Sequence, residues 1–182
     1  MEHEDFLTAE HEAEQSVYFQ LGKLSTAFAQ VEEGVHDLIV ELSDGDDIVI
    51  IHLIENNSLE NNLKLLSKIN KYRKYRHQEM SDMIRLIRKV KELRNRLIHG
   101  RWTKPFVTPN NVSITVLQSK VEEDIDGEII GYFHKTQHDY LLSDLVNAII
   151  EIENIFLMQE KLLEPLRKRK NEKPLRESWS VD

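Results

Sequence analysis

The residues with the clearest chemical potential lie in one stretch, Leu93-Arg94-Asn95-Arg96-Leu97-Ile98-His99-Gly100-Arg101-Trp102. An arginine and a histidine five positions apart can serve one phosphate ester. The guanidinium neutralises charge that develops on the phosphate oxygens, and the imidazole carries a proton to or from a hydroxyl or a leaving oxygen. Asn95 and His99 are four apart, so a regular helix puts them one turn apart on the same face, whereas Arg94 and His99 are offset by about 140°. Convergence of Arg94 and His99 on one phosphate therefore requires a loosened last turn before Gly100, or two copies meeting across an interface. The structural alternative is an arginine bonded to an acid of the first helix, beside a histidine that simply ends its own.

No other constellation competes. The chain has no cysteine, which excludes disulfides, thiolate zinc sites and cysteine nucleophiles. It has no Gly-rich phosphate loop, no nucleophile elbow and no H-E-x-x-H, so kinase, serine-hydrolase and zincin chemistry are set aside. His134 and His138 are four apart, but His134 falls at the end of an expected strand, a poor geometry for a shared metal. The expectation is a site with no metal and no cofactor.

Arg94 draws attention because of the element that must carry it. A helix is expected over about residues 78–99, with a seam at Met80, Met83, Ile87, Val90, Arg94 and Leu97 stepping 3, 4, 3, 4, 3. A guanidinium set among apolar side chains costs several kcal/mol unless something answers it. Gly100 stands at the C-capping position. The first helix carries an unbroken heptad seam, Val17, Leu21, Leu24, Phe28, Val31, Val35, Leu38 and Leu42, stopped by Ser43-Asp44-Gly45. Residues 47–54 are short and β-branched; periodicity leaves strand or helix open, and context leans towards helix. Ser58 caps a helix with Leu59, Leu63, Leu66 and Ile69 on one face. Residues 71–77, K-Y-R-K-Y-R-H, link it to the next helix.

Alternation at 112–117, an acidic turn ending in Asp126-Gly127, and I-I-G-Y-F-H at 129–134 predict a β-hairpin. The last helix has its seam at Leu142, Leu145, Ile149, Ile152, Phe156, Gln159, Leu163 and Leu166, with Pro165 expected to kink it or fray its last turn. The basic run 167–170 and the residues after it read as a tail. The fold class expected is all-α: an antiparallel bundle of four main helices, with a small β-hairpin at about 111–136 between the third and fourth. One domain would span 1–170, and a flexible polar tail 171–182.

Net charge is −8 over 182 residues, distributed in blocks. Residues 1–63 hold one lysine against 15 acids, and residues 64–104 hold 14 Lys and Arg against three acids, a local +11. Such a basic centre either pairs with the acidic helix or attracts a polyanion such as RNA. The acidic N-terminus has no apolar signal region, and no run is long enough to span a membrane, so a cytoplasmic location without membrane partners is expected.

The run Arg94-Asn95-Arg96-Leu97-Ile98-His99 resembles the R-x4–6-H signature of the HEPN superfamily, including the polar residue directly after the arginine and the place late in the third helix of a small bundle. The resemblance covers roughly residues 10–170 by pattern and about six to ten residues specifically. It implies a metal-independent endoribonuclease, of the kind found in toxin–antitoxin and phage-defence systems, that dimerises through the motif-bearing helices into a composite site. His99 would be general base or acid, Arg94 would stabilise the phosphate, and Asn95 would orient the group beside it. The product would be a 2′,3′-cyclic phosphate. Arg96, Arg101, Lys104, Lys71, Arg73, Lys74 and Arg76 would hold the strand, with Tyr72 and Tyr75 stacking on bases. Partners implied are a second copy, RNA, and an antitoxin or other protein. Toxin-type members often continue R-x4-H-x-Y; here Arg101 stands in the Tyr position. Several HEPN branches keep the fold without catalysis, so a non-catalytic interaction or nucleic-acid-binding module is the alternative.

Overall fold

The computed structural model describes residues 2–43, 45–108, 111–121 and 133–172; side chains are described for 8–43, 45–108, 111–118 and 136–170. Among these residues the chain forms a bundle of five helices with an open four-stranded sheet between the fourth and fifth. The helices are α1 (Glu2–Ser43), α2 (Asp47–Ile54), α3 (Leu59–Arg73), α4 (His77–His99) and α5 (Leu142–Glu172). The strands are β1 (Arg101–Trp102), β2 (Phe106–Thr108), β3 (Asn111–Val121) and β4 (Phe133–Leu141). The fifth helix beside the four main ones is α2, the segment 47–54 whose context leaned towards helix, and one expectation is corrected: the insert is a four-stranded sheet rather than a lone hairpin. The expected turn at Asp126-Gly127, residues 129–132, and the tail beyond Glu172 lie outside the described residues.

Contacts divide the chain into two compact units, residues 1–28 with 89–151, and residues 29–88 with 152–182. The long helices α1, α4 and α5 each contribute to both. In the first unit Val17, Leu24 and Phe28 of α1, Val90 and Leu97 of α4, Ile114 and Val116 of β3, and Leu145 and Ile149 of α5 are buried. β3 is the centre of the sheet. It pairs antiparallel with β4 on one edge, and with β1 and then β2 on the other. Between Trp102↔Val116 and Phe106↔Ser113 the outer edge carries one more residue than β3. Pro105, which has no N–H to give the ladder, falls in that break. Trp102, Val116 and His138 lie in one row across the sheet, and Val116 is fully buried, so this row marks the inner face.

In the second unit the α1 seam continues through Val31, Val35, Leu38 and Leu42, all buried, and Leu63, Leu66, Met83 and Leu163 are buried in the same unit. Ser58 Oγ accepts from Asn61 N at 3.3 Å, as a cap should. Asp46 caps α2 by accepting from Ile48 N and Val49 N. Asn62, fully buried, donates to His36 Nε2 at 2.8 Å and to the Ile54 carbonyl, and accepts from Asn57, which ties α2's end to α1 and α3. The one amide on the α5 seam is satisfied on its NH2 side, while its Oε1 is buried without a hydrogen-bond partner among the described residues. Gln159 donates to the Val31 carbonyl at 2.9 Å, and it fits only because Gly34 has no side chain: a Cβ there would stand 2.6 Å from the amide.

Pro165 does not fray the end of α5, which runs on as helix to Glu172. Proline removes the donor that the Lys161 carbonyl would have received, and its ring crowds that turn outward. Arg76 Nη1 donates to the Lys161 carbonyl at 3.3 Å, and the Tyr75 hydroxyl donates to the Leu162 carbonyl at 2.7 Å. The turn that proline opens is closed by side chains from the segment before α4. Phe156 also departs from its expected seam place: it is exposed, and Ile155 is buried instead.

Candidate functional site

α4 remains helical through His99 and is closed by the Gly100 N–H donating to the Arg96 carbonyl at 2.9 Å. The last turn is therefore not loosened, and Arg94 and His99 leave the helix about 140° apart. Gly100 does not adopt the left-handed conformation of a helix cap. Its glycine is required by crowding: a Cβ would lie 2.0 Å from Val116 Cγ1 and 2.5 Å from the Arg96 carbonyl oxygen. The Trp102 indole donates to the Leu97 carbonyl at 2.6 Å, satisfying one of the orphan acceptors of the helix end. Tyr18 stacks on Trp102 with 6.4 Å between centroids, and its hydroxyl donates to Glu14. That bond is the main reason the Tyr18 hydroxyl titrates above its ordinary value, with the Glu14 charge adding to it.

Arg94 is half-buried. Its guanidinium sits 5.6 Å from the centre of the Phe28 ring, Nη1 donates to Asn95 Oδ1 at 3.1 Å, and Nε is buried without a hydrogen-bond partner among the described residues. No carboxylate among those residues pairs with it. The seam position thus resolves as a cation lying over an aromatic face, with the adjacent amide fixing its plane. Asn95 serves Arg94 in this way rather than His99. His99 is exposed and takes no hydrogen bond among the described residues.

The remaining expected binding residues separate into groups. In the first unit Arg96 lies 3.9 Å from Glu92, Arg101 is exposed on β1, and Lys104 is exposed beside Glu10, His11 and Glu14, where they line a surface cleft of about 130 Å³. The 71–76 cluster belongs to the second unit, and half of it has structural work. Arg73 Nε and Nη2 donate to the Leu42 and Ser43 carbonyls, capping the C-terminus of α1, and Arg76 and Tyr75 close the Pro165 turn. Arg76 also pairs with Glu79. Lys71, Tyr72 and Lys74 are exposed. Lys71–Arg73 form the last turn of α3 rather than a linker, and Lys74 takes the left-handed cap position at φ 56°.

Phe28, the ring beneath Arg94, was visible in the sequence only as an apolar seam member, and the Trp102–Leu97 bond had no sequence signal. Among the described residues no group of three or more His, Asp or Glu is placed to hold a metal. His138 stacks on Tyr140, and the side chain of His134 lies outside the described residues. No described helix is long and apolar enough to cross a membrane. No family model, no curated protein sequence and no solved structure matches the chain.

Proposed function

We propose that the protein is a HEPN-like, metal-independent endoribonuclease whose site is completed by a second copy. One observation carries this reading: the guanidinium of Arg94 is held over Phe28 and beside Asn95, with no carboxylate partner among the described residues. An arginine kept for an internal ion pair would have its acid; this one is oriented by groups that leave its charge uncancelled. The offset between Arg94 and His99 makes the pair work in trans, Arg94 of one protomer with His99 of its partner.

In this mechanism His99 takes the proton from a ribose 2′-hydroxyl, whose oxygen attacks the neighbouring phosphorus. The P–O5′ bond breaks, leaving a 2′,3′-cyclic phosphate, and the departing 5′-oxygen takes a proton from the imidazolium to become the 5′-hydroxyl. Arg94 stabilises the charge gathered on the phosphoryl oxygens. Arg96, Arg101 and Lys104 hold flanking phosphates, and of the 71–76 cluster Lys71, Lys74 and Tyr72 are the members left for RNA. The protein acts in the cytoplasm, restrained by an antitoxin or another protein partner.

The test is RNA cleavage in EDTA. Wild type cleaves, His99→Ala falls about 10²–10⁴-fold and Arg94→Ala about 10²–10³-fold. Equal activity in His99→Ala removes His99 from the mechanism. The exposed, unrestrained ring of His99 favours a second reading, a non-catalytic HEPN-like interaction or nucleic-acid-binding module. That reading is identified by a salt-dependent shift of single-stranded RNA that stays intact with every variant.

A further inference from the structure

The first helix is acidic along its length except in one window. Residues 2–14 carry six acids and residues 32–43 four more, but from Gln15 to Val31 there is none, and Lys23 is the single charge. Residues 15–28 of that window belong to the first unit, where the guanidinium of Arg94 lies over Phe28. Two large aromatic side chains of the window face solvent, Tyr18 at 59% and Phe19 at 60% exposure. One turn further along stands Gly22.

Nothing in the packing of the chain asks for glycine there. A Cβ at position 22 meets nothing within 4 Å, and glycine inside a helix is destabilising relative to alanine. Helical side chains lean towards the N-terminus, so a side chain at 22 would lie over the turn that carries Tyr18 and Phe19. Its absence leaves a notch beside the two rings. The Tyr18 ring is braced: it stacks on Trp102 at 6.4 Å between centroids, and the Trp102 indole donates to the Leu97 carbonyl at the end of the helix that carries His99. Lys23 Nζ is held 4.7 Å over the Phe19 ring, at the rim of the notch.

We propose that a nucleobase of the RNA enters this notch and stacks on Tyr18 while Lys23 takes the adjoining phosphate, an assignment that rests on the RNA-cleaving reading above. A planar base needs only a π face, and a ring already braced by Trp102 loses little freedom in offering one. Phosphates repelled by the rest of α1 meet no acid in the window, and Lys23, Arg94 and Arg101 have no acidic ion-pair partner among the described residues. The nearest acid in sequence, Glu14, accepts from the Tyr18 hydroxyl at 3.1 Å and lies nine residues, about 13 Å of helix, from Lys23. Two rings and a notch fall well short of the about 800 Å² per partner that a stable protein interface needs.

The test is fluorescence anisotropy with the full chain and a labelled single-stranded RNA whose 2′-hydroxyls are replaced by fluorine, so that it binds without being cleaved. Tyr18→Ala is expected to weaken binding about 5- to 100-fold, and Tyr18→Phe to leave it nearly unchanged. Gly22→Leu fills the notch and should weaken binding to a similar extent while its melting temperature holds or rises, since leucine is the better helix former. Lys23→Gln should lower the slope of log affinity against log salt by about 0.7, which Tyr18→Ala leaves alone. Wild-type affinity in Tyr18→Ala or in Gly22→Leu overturns the proposal, as does a wild type that binds no RNA. A Gly22→Leu chain with intact RNA affinity and an altered sedimentation coefficient gives the notch to a second copy and overturns it equally. Cleavage of unmodified RNA is scored separately. Binding that needs Tyr18 and the open notch, without any cleavage, supports the stack and removes the nuclease; cleavage and binding untouched by Gly22→Leu keep the nuclease and remove the stack.

Discussion

Tyr75 shows how a residue chosen for one chemistry can be held by another. Beside Lys and Arg it reads as a base-stacking ring, yet its hydroxyl donates to the Leu162 carbonyl in the turn that Pro165 opens. Burial is the main cause that raises its pKa above the ordinary value of 10.0, with nearby Arg76 opposing. The sign follows from the neutral form being preferred in the folded state. This contribution to stability is complete below the unfolded value and is lost as pH rises through the folded one. Tyr75→Phe is therefore expected to lower stability at pH 8 by about 1 kcal/mol, the worth of one hydrogen bond. It should also make the decline above pH 10 shallower than in wild type. Urea unfolding followed by far-ultraviolet circular dichroism at both pH values checks this; an unchanged alkaline slope contradicts it.

At the scale of elements, the helices were legible because their signal is local. The α1 seam predicted burial at Val17, Leu24, Phe28, Val31, Val35, Leu38 and Leu42, and all are buried, with Leu21 only half so. In α4 the one seam member predicted to be anomalous, Arg94, is the one that is not fully buried. The sheet was only half legible. β1 and β2 have two and three residues, and they exist only because β3 pairs with them; no window of that length carries a period. The partners of Pro165 were illegible for a related reason, since Tyr75 and Arg76 lie some 85 residues earlier.

Gly100 is the junction where helix and sheet constrain each other. A Cβ there meets the Val116 side chain, which can shift, and the Arg96 carbonyl, which belongs to the helix backbone. Gly100→Ala is expected to cost about 1–3 kcal/mol, as overpacking does. Val116→Ala in the same chain should recover only part of that, because the backbone clash stays. A thermal-unfolding double-mutant cycle measures the coupling; strict additivity would show that the two groups do not meet.

For the molecule as a whole, charge placement narrows where a polyanion can be held. The acidic α1 is answered by the basic end of α5, with Arg167 on Asp37 at 2.8 Å and Lys170 near Glu41. Several cations of the central block pair with acids outside α1, Arg88 with Glu60, Lys89 with Glu151 and Arg85 with Asp82. In the first unit Arg94, Arg101, Lys23 and Lys104 are cations with no acidic ion-pair partner among the described residues, and of these Arg94 is the one oriented by an adjacent amide and an aromatic face. Its use on one phosphate depends on symmetry. In a two-fold dimer with trans sites, each site takes Arg94 from one chain and His99 from the other. A mixed dimer of Arg94→Ala and His99→Ala chains then has one site with both groups missing and one with both intact. Each homodimer is inactive, and a statistical mixture contains half mixed dimers. Co-expressed variants should therefore regain about a quarter of wild-type cleavage from two dead parents. Sites built within single chains predict no recovery at all, because every site then lacks one group. Recovery that vanishes when the two variants are purified apart and assayed before exchange would tie the activity to the mixed dimer itself.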